Sequence, residues 1–395
     1  MASYYKGLFL YFLSFSFDFM APLLVPLLIE AGSSRRDATT VQGIAYLISA
    51  LTIPFLGRAL DKGRQYSVIA VACIALLLAP ALLTLGINHN TKALAAVLVI
   101  VAGGVVMLVG GRSLEAMVPT SERTRAATLT YLAMNIGGCI ASGLAYYFMK
   151  SGRSDLLWLD ALTSTLFTLW AARYFSRMEH KNTTIPSLGK EARQATISSP
   201  WQEARQATVP LLGCFLIMPT IFAHISAIPS LYDRQFGASI QPTALMFAVN
   251  GLTVIFSGVA FKKIFASFGE SKRLTTGTIL LAAGHAAVPF AISLPASISS
   301  TIVWSLGEVM LWPILTTTIL SLFDSSASGF ASAIKVTLVR MGLVAAPLMS
   351  TLIDSIPLAA FSVVFGSLPL LGLLLLQLNA QRTEVALTNV VGERE

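Results

Sequence analysis

The chain has 395 residues, of which 55% are hydrophobic and only 12% charged, against roughly 25% charged in a soluble domain. A mean hydropathy of +0.73 excludes an ordinary soluble fold and points to a protein that uses a bilayer as solvent. The formal charge of +8 does not mark a nucleic-acid binder, because the Lys and Arg residues are dispersed among short segments between apolar runs.

Twelve apolar runs are long enough to span a hydrocarbon core of ~30 Å. The first six lie near residues 5–29, 41–60, 66–88, 93–115, 126–149 and 156–176, and the second six near 209–231, 243–265, 273–294, 297–322, 329–353 and 357–379. The expected fold is all-α, a polytopic membrane protein of twelve transmembrane helices in two six-helix bundles. Residues 1–176 form the first bundle, 177–208 a polar cytoplasmic linker, 209–380 the second bundle and 381–395 a cytoplasmic tail. The N-terminus has no cleavage signature, and its first apolar run is read as a retained span. Cys73, Cys139 and Cys214 sit inside apolar runs without CxxC spacing, so they are read as packing residues rather than as a disulfide or zinc framework.

Spans two and three are joined by a short charged turn, Gly57-Arg58-Ala59-Leu60-Asp61-Lys62-Gly63-Arg64. Glycine relieves the backbone of so tight a connection, and the basic residues suit a cytoplasmic loop. With both termini on that side, eighteen Lys and Arg fall on the cytoplasmic face, six on the other, and Arg112, Lys335 and Arg340 within spans. The positive-inside rule therefore supports a multi-pass protein with cytoplasmic termini, and the compact loops without organelle signals point to a bacterial inner membrane. Between spans eight and nine, Gly258, Lys262-Lys263 and Phe268 to Arg273 form a degraded echo of the turn, as an internal duplication would leave. The linker repeats the hexapeptide Glu-Ala-Arg-Gln-Ala-Thr at 191–196 and 203–208, read as a tether or a short interfacial helix.

The twelve spans split six and six, with the turn after span two, resemble the major facilitator superfamily of secondary transporters. Gly57, Asp61 and Lys62 match its signature loop, with Gly63 and Arg64 following in a shortened form. After span four, Val118 to Ala126 with Pro119, Glu122, Arg123 and Arg125 is similar to the family's Pro-x-x-Glu-Arg-x-Arg-Ala segment. Span four has no early arginine between Ala95 and Val101, and span five has Asn135-Ile136-Gly137 and Ala141-Ser142-Gly143 where drug antiporters carry Gly-Pro. The resemblance implies alternating access by two rocking bundles and a latch made of Asp61 with Arg112, helped by Gly57, Lys62, Arg64 and Arg123. It also favours Asp18 as a functional acid, since many family exporters carry one in the first span before prolines such as Pro22 and Pro26.

Ionisable groups at bilayer depth are costly and are functional candidates. Asp18, Glu308 and Arg340 lie roughly 18 to 22 Å from the cytoplasmic ends of their spans at 1.5 Å per residue. Asp18 or Glu308 is expected to exchange protons. Arg340 would hold an anionic substrate group or the vacated carboxylate, or else Glu308 and Arg340 face each other as a permanent ion pair that locks spans ten and eleven. Lys335 is turned some 140° from Arg340 by helical spacing, so the two are not expected to share a face; it either snorkels toward the cytoplasm or binds substrate. Arg112 lies three residues before Glu115 on one face. His224 and His285 read as packed hydrogen-bonding residues. Phe15, Phe17, Phe19, Trp304 and Trp312 are candidates to line an apolar cavity, with Phe15 and Trp304 placed at the substrate. Pro219 and Pro229 are expected to break span seven.

The chain has no phosphate-binding loop, Ser-His-Asp arrangement or metal-ligand cluster, so neither an enzyme nor a cofactor is expected, only a proton gradient as energy source. The expected partners are a small-molecule substrate and lipid, with no nucleic acid, and the protein is expected to be a monomer. Proton-coupled export of a drug-like molecule or secondary metabolite such as a siderophore is the leading expectation. Proton-coupled import of a small organic anion or siderophore is the alternative, and a non-transporting receptor or scaffold a third reading.

Overall fold

Backbone that leaves water must satisfy its own hydrogen bonds, and every regular element among the described residues is a helix. The computed structural model describes residues 2–16, 24, 28, 32–85, 89–118, 122–151, 157–183, 200–236, 240–260, 267–323, 328–352 and 356–392. Helices α1 (Ala2–Ser16), α2 (Arg35–Asp61), α3 (Gln65–Leu85), α4 (His89–Ala116), α5 (Arg123–Ser151) and α6 (Leu157–Thr183) precede the linker. After it come α7 (Pro200–Gln206), α8 (Thr208–Ile221), α9 (Ala227–Phe236), α10 (Ile240–Ala260), α11 (Glu270–Ala287), α12 (Leu294–Ser321), α13 (Ser328–Leu352) and α14 (Leu358–Gly392). Among the described residues, each predicted apolar run falls on one of these helices or, for the seventh, on a broken series of them; residues 17–23 of the first run and 261–265 of the eighth lie outside the description. Among the described residues, seven stretches are long and apolar enough to cross a membrane, and shorter apolar stretches lie in α6 and α10.

Local chemistry sets the ends. Ser34 caps α2 by accepting the Asp37 N–H at 3.1 Å, which satisfies one donor that the first turn leaves open and places an acid at the positive helix end. Span seven breaks where its prolines predict. α8 stops two residues after Pro219, a 3₁₀ turn covers Ala223–Ile225, and α9 restarts with Pro229 in its first turn. Each proline removes an N–H that the preceding turn would have used. The second copy of the linker hexapeptide lies on α7 and its junction with α8, where Trp201 packs edge-on to Phe330 of α13 at 4.9 Å. The first copy lies outside the described residues.

α3 packs on α4 and α6, and α1 on α5 and α6, while α11 packs on α12 and α14, and α14 on α8. The two groups meet through α2 against α13, α5 against α10 and α12, and α4 against α13. A core of Tyr46, Ile100 and Tyr131 from the first group with Met218, Trp312, Val339 and Leu343 from the second runs across that seam. On the outer faces Leu51, Phe55, Val71, Phe256 and Val363 are all more than 60% exposed, a surface suited to lipid and not to water. α2 and α13 run antiparallel along their whole length. Gly43 meets Pro347 at one end, the Thr337 hydroxyl donates to the Ala50 carbonyl at 3.3 Å in the middle, and Gly57 meets Gly329 at the other. The end carrying the Gly57–Arg64 turn is here termed the basic face.

Candidate functional site

The turn after α2 is built for tightness. Gly63 adopts φ +75°, a region costly for any residue with a Cβ. Its N–H donates to the Leu60 carbonyl at 3.1 Å and that of Arg64 to Ala59 at 2.9 Å, which satisfies the last carbonyls of α2. This geometry leaves Asp61 on the inner side of the helix. Its two carboxylate oxygens accept the Gly329 and Phe330 N–H groups at 2.8 Å each, and Arg112 lies 3.1 Å away. The acid thus occupies the open, electropositive N-terminus of α13, where a negative charge is most stabilised. Arg112 also donates to the Ser328 hydroxyl at 3.3 Å. The helices approach closely because Gly57 and Gly329 carry no side chain: a Cβ on Gly57 would run into Ala333 and lie 2.5 Å from the Gly329 carbonyl oxygen.

One turn further in, Lys335 of α13 forms an ion pair with Glu115 of α4, and the Ser332 hydroxyl donates to the same carboxylate at 3.1 Å. The Lys335 side chain thus ends on Glu115, next to the basic-face end of α4, and is 15% exposed. The pair lines a narrow cavity of about 50 Å³ between the two groups of helices, walled by Tyr11, Met107, Tyr131, Met134, Trp312 and Val339.

Deeper still, Glu308 of α12 is only 4% exposed and accepts from the Asn250 amide at 3.3 Å, which in turn donates to the Ser305 hydroxyl at 3.0 Å. The Tyr131 hydroxyl of the opposite group is buried beside it, and the Tyr131 ring stacks on Trp312 at 5.5 Å. Glu308 does not meet Arg340, so the expected ion pair between spans ten and eleven is not formed. Depth along two neighbouring helices is shared, but rotation about their axes is not: Glu308 turns toward α10 and α5, while Arg340 turns toward α2 and α4. There its guanidinium lies 5.5 Å from the centre of the Tyr46 ring, and beside Gly103 and Gly104, whose missing side chains leave it room.

Lys335 approaches Gly111 of that same α4, so although helical spacing sets Lys335 and Arg340 some 140° apart on α13, both side chains reach one neighbouring helix. α13 packs against both α2 and α4, and two long side chains converge from either side of it.

Of the predicted latch residues the structure brings together Gly57, Asp61 and Arg112. Lys62, Arg64 and Arg123 are exposed and stand apart from that network. Neither Phe15 nor Trp304 lines the cavity. Phe15 packs on Tyr11 at 4.8 Å and against Gly137 within the first group of helices. Trp304 is fully buried between His224, stacked at 5.5 Å, and His285 at 4.9 Å. Both imidazoles bond through Nδ1 to carbonyls of their own segments, Ile221 at 2.8 Å and Leu281 at 3.1 Å, as packed histidines do. Asp18, Phe17, Phe19, Pro22 and Pro26 lie outside the described residues. Sequence reasoning passed over Asn250, Tyr131 and Tyr46. An amide alone in the apolar run 243–265 is a signal for the first; the other two carry none, since aromatic residues in spans are commonplace.

The family profile described as Major Facilitator Superfamily matches residues 7–347. A comparison with curated protein sequences finds no significant match. Among solved structures, the crystal structure of the human organic anion transporter MFSD10 (TETRAN) superimposes with a TM-score of 0.70. The match spans 95% of this chain and 98% of that one at 16% identity. At that identity the likeness is one of fold.

Proposed function

We propose that this chain, which belongs to the major facilitator superfamily, exports a small organic molecule from the cytoplasm of a bacterial cell in exchange for protons. Membership makes it a multi-pass membrane transporter; direction, coupling ion and cargo are the proposal. The observation that carries it is Glu308. A carboxyl buried at the seam, held by the neutral Asn250 amide and facing Tyr131 of the opposite helices, has no ion-pair partner among the described residues. An ionised carboxylate in such a place costs several kcal/mol, whereas a carboxyl that gains and loses a proton as the helices part supplies the link between gradient and transport. Asp18 is the second candidate carrier. Arg340, which belongs to the same group of helices as Glu308 but turns across the seam to Tyr46, completes the central site. That the human protein of the same fold is an organic anion transporter is in keeping with a small organic cargo.

The test is transport by inverted vesicles under an imposed proton gradient, with a panel of lipophilic cations, siderophores and small organic acids. Accumulation that depends on the gradient and is uncoupled by Glu308→Gln or Asp18→Asn supports the proposal and identifies the carrier. Accumulation only with the gradient reversed makes the protein an importer. Gradient-dependent accumulation that survives both substitutions removes these acids from the mechanism.

A further inference from the structure

We propose that the cavity beside Glu115 and Lys335 is a binding site for an organic anion, and that the anion opens the basic face by exchanging places with Glu115. The proposal rests on the transporter reading above and gives it a substrate class.

Among the described residues that line the cavity, Lys335 is the one cation and Glu115 the one anion, and they come from opposite sides of the seam. Tyr11, Tyr131 and Trp312 supply flat apolar faces. At about 50 Å³ the space is far below the roughly 300 Å³ that a drug-sized ligand needs. A ligand that enters must therefore part the walls, and any charged group it brings competes with this ion pair.

Which sign of ligand can do so follows from what each partner would have left. A cation that captures Glu115 abandons Lys335 in a largely apolar cavity. Of the other acids near the seam, Asp61 already receives Arg112 and two backbone N–H groups, and Glu308 is bound within α10 and α12. An anion that captures Lys335 leaves Glu115 with an alternative. Arg112 is three residues away on the same face of α4 and close enough to feel its charge, and a guanidinium has five donors. Burying an uncompensated charge is strongly unfavourable, so the site accepts the anion.

The exchange has a mechanical consequence. Glu115 turning to Arg112 draws on the guanidinium that holds Asp61 and Ser328 at the end of α13. It also gives up the Ser332 hydroxyl and Lys335, both on α13. Three contacts between α4 and α13 thus weaken together when the anion binds. Glu115 acts as a positioning residue that reports occupancy of the cavity to the latch.

The experiment uses the full chain in lipid nanodiscs, with dansylglycine as the carboxylate probe and dansylcadaverine as its amine counterpart. Binding is read by energy transfer from tryptophan. Dansylglycine is expected to bind the wild type and to bind Glu115→Gln about tenfold more tightly, because Lys335 is then released from competition. Lys335→Gln is expected to lose it, and Lys335→Arg to restore it. As a second readout, maleimide labelling of a Ser328→Cys variant is expected to quicken when dansylglycine is added, and this response is expected to vanish in Glu115→Gln.

Weaker dansylglycine binding by Glu115→Gln overturns the proposal, as does binding that survives Lys335→Gln. So does a preference for dansylcadaverine that Lys335→Gln strengthens. Glu115→Gln keeps the direction of the effect measurable should Lys335→Gln fail to fold. None of these measurements needs a gradient, so their failure leaves proton-coupled export standing on the vesicle assay, and failure of that assay leaves the anion site standing here.

Discussion

Replacing Asp61 with Asn keeps the shape of the side chain and removes its charge. The carboxylate now receives two backbone N–H groups at 2.8 Å each and a guanidinium at 3.1 Å. An amide oxygen can accept one of those N–H groups, but its NH₂ then faces the other, so one bond becomes a contact between two donors. Hydrogen bonds to a charged partner contribute about 1.5–3 kcal/mol each. The side chains of Asp61 and Arg112 are only 12% and 18% exposed, so solvent screens little of this. Loss of one bond and weakening of the other two costs the closed basic face about 2–4 kcal/mol, a shift of roughly 30- to 1,000-fold in its ratio of closed to open forms. Spin labels on Arg64→Cys and Ser271→Cys, both exposed positions on that face, read the ratio as a distance distribution once the three native cysteines are replaced. The wild type is expected to give one short distance and Asp61→Asn a substantial longer population, while a parallel melting curve separates opening from unfolding. A distribution identical to the wild type's would refute the assignment of Asp61 as the closing contact.

The other predictions probe packing and the central site. Gly57→Val places a branched side chain against Ala333 and the Gly329 carbonyl; overpacking of about 1–3 kcal/mol is expected to lengthen the same spin-label distance. Gly284→Val sets a Cβ 2.5 Å from the Trp304 backbone nitrogen, a contact within one group of helices. It is expected to lower melting by a similar free energy and to leave the distance unchanged. Arg340→Lys keeps the charge but loses the planar group that lies 5.5 Å from the Tyr46 ring centre. With about 0.5–2 kcal/mol in such a contact, transport in vesicles is expected to fall about 2- to 30-fold, and no change at all would place Arg340 outside the site.

Much of the fold follows from hydrophobicity alone, because a bilayer imposes one solution on the backbone. Runs of the right length become helices wherever the structure describes them, and Pro219 and Pro229 mark the break in span seven. Asp61 and Arg112 were also legible, since charge at the end of an apolar helix needs a partner and the resemblance named one. What the sequence withheld is rotation and long-range pairing. Glu308 and Arg340 have matching depths, yet each turns to a different neighbour. Glu115 and Lys335 are 220 residues apart, and local spacing had offered Glu115 only to Arg112. Trp304 looked like a cavity aromatic because composition does not say which side of a helix meets the seam; two histidines enclose it instead.

The latch and the cavity share one pair of helices. α13 presents its first N–H groups to Asp61, Ser332 and Lys335 to Glu115 and Arg340 to Tyr46, all within 12 residues along one helix from Gly329 to Arg340. α4 answers with Arg112, Glu115 and the Gly103-Gly104 gap. Packed helices shift as rigid units more readily than they deform, so a displacement of α13 that loosens one rung of this ladder strains the others. An event at Lys335 therefore reaches Asp61 without a dedicated relay. The same geometry explains why these polar contacts across the seam are partly buried. Each must be strong enough to hold the face closed, and each must be replaceable, one partner for another, when the seam opens.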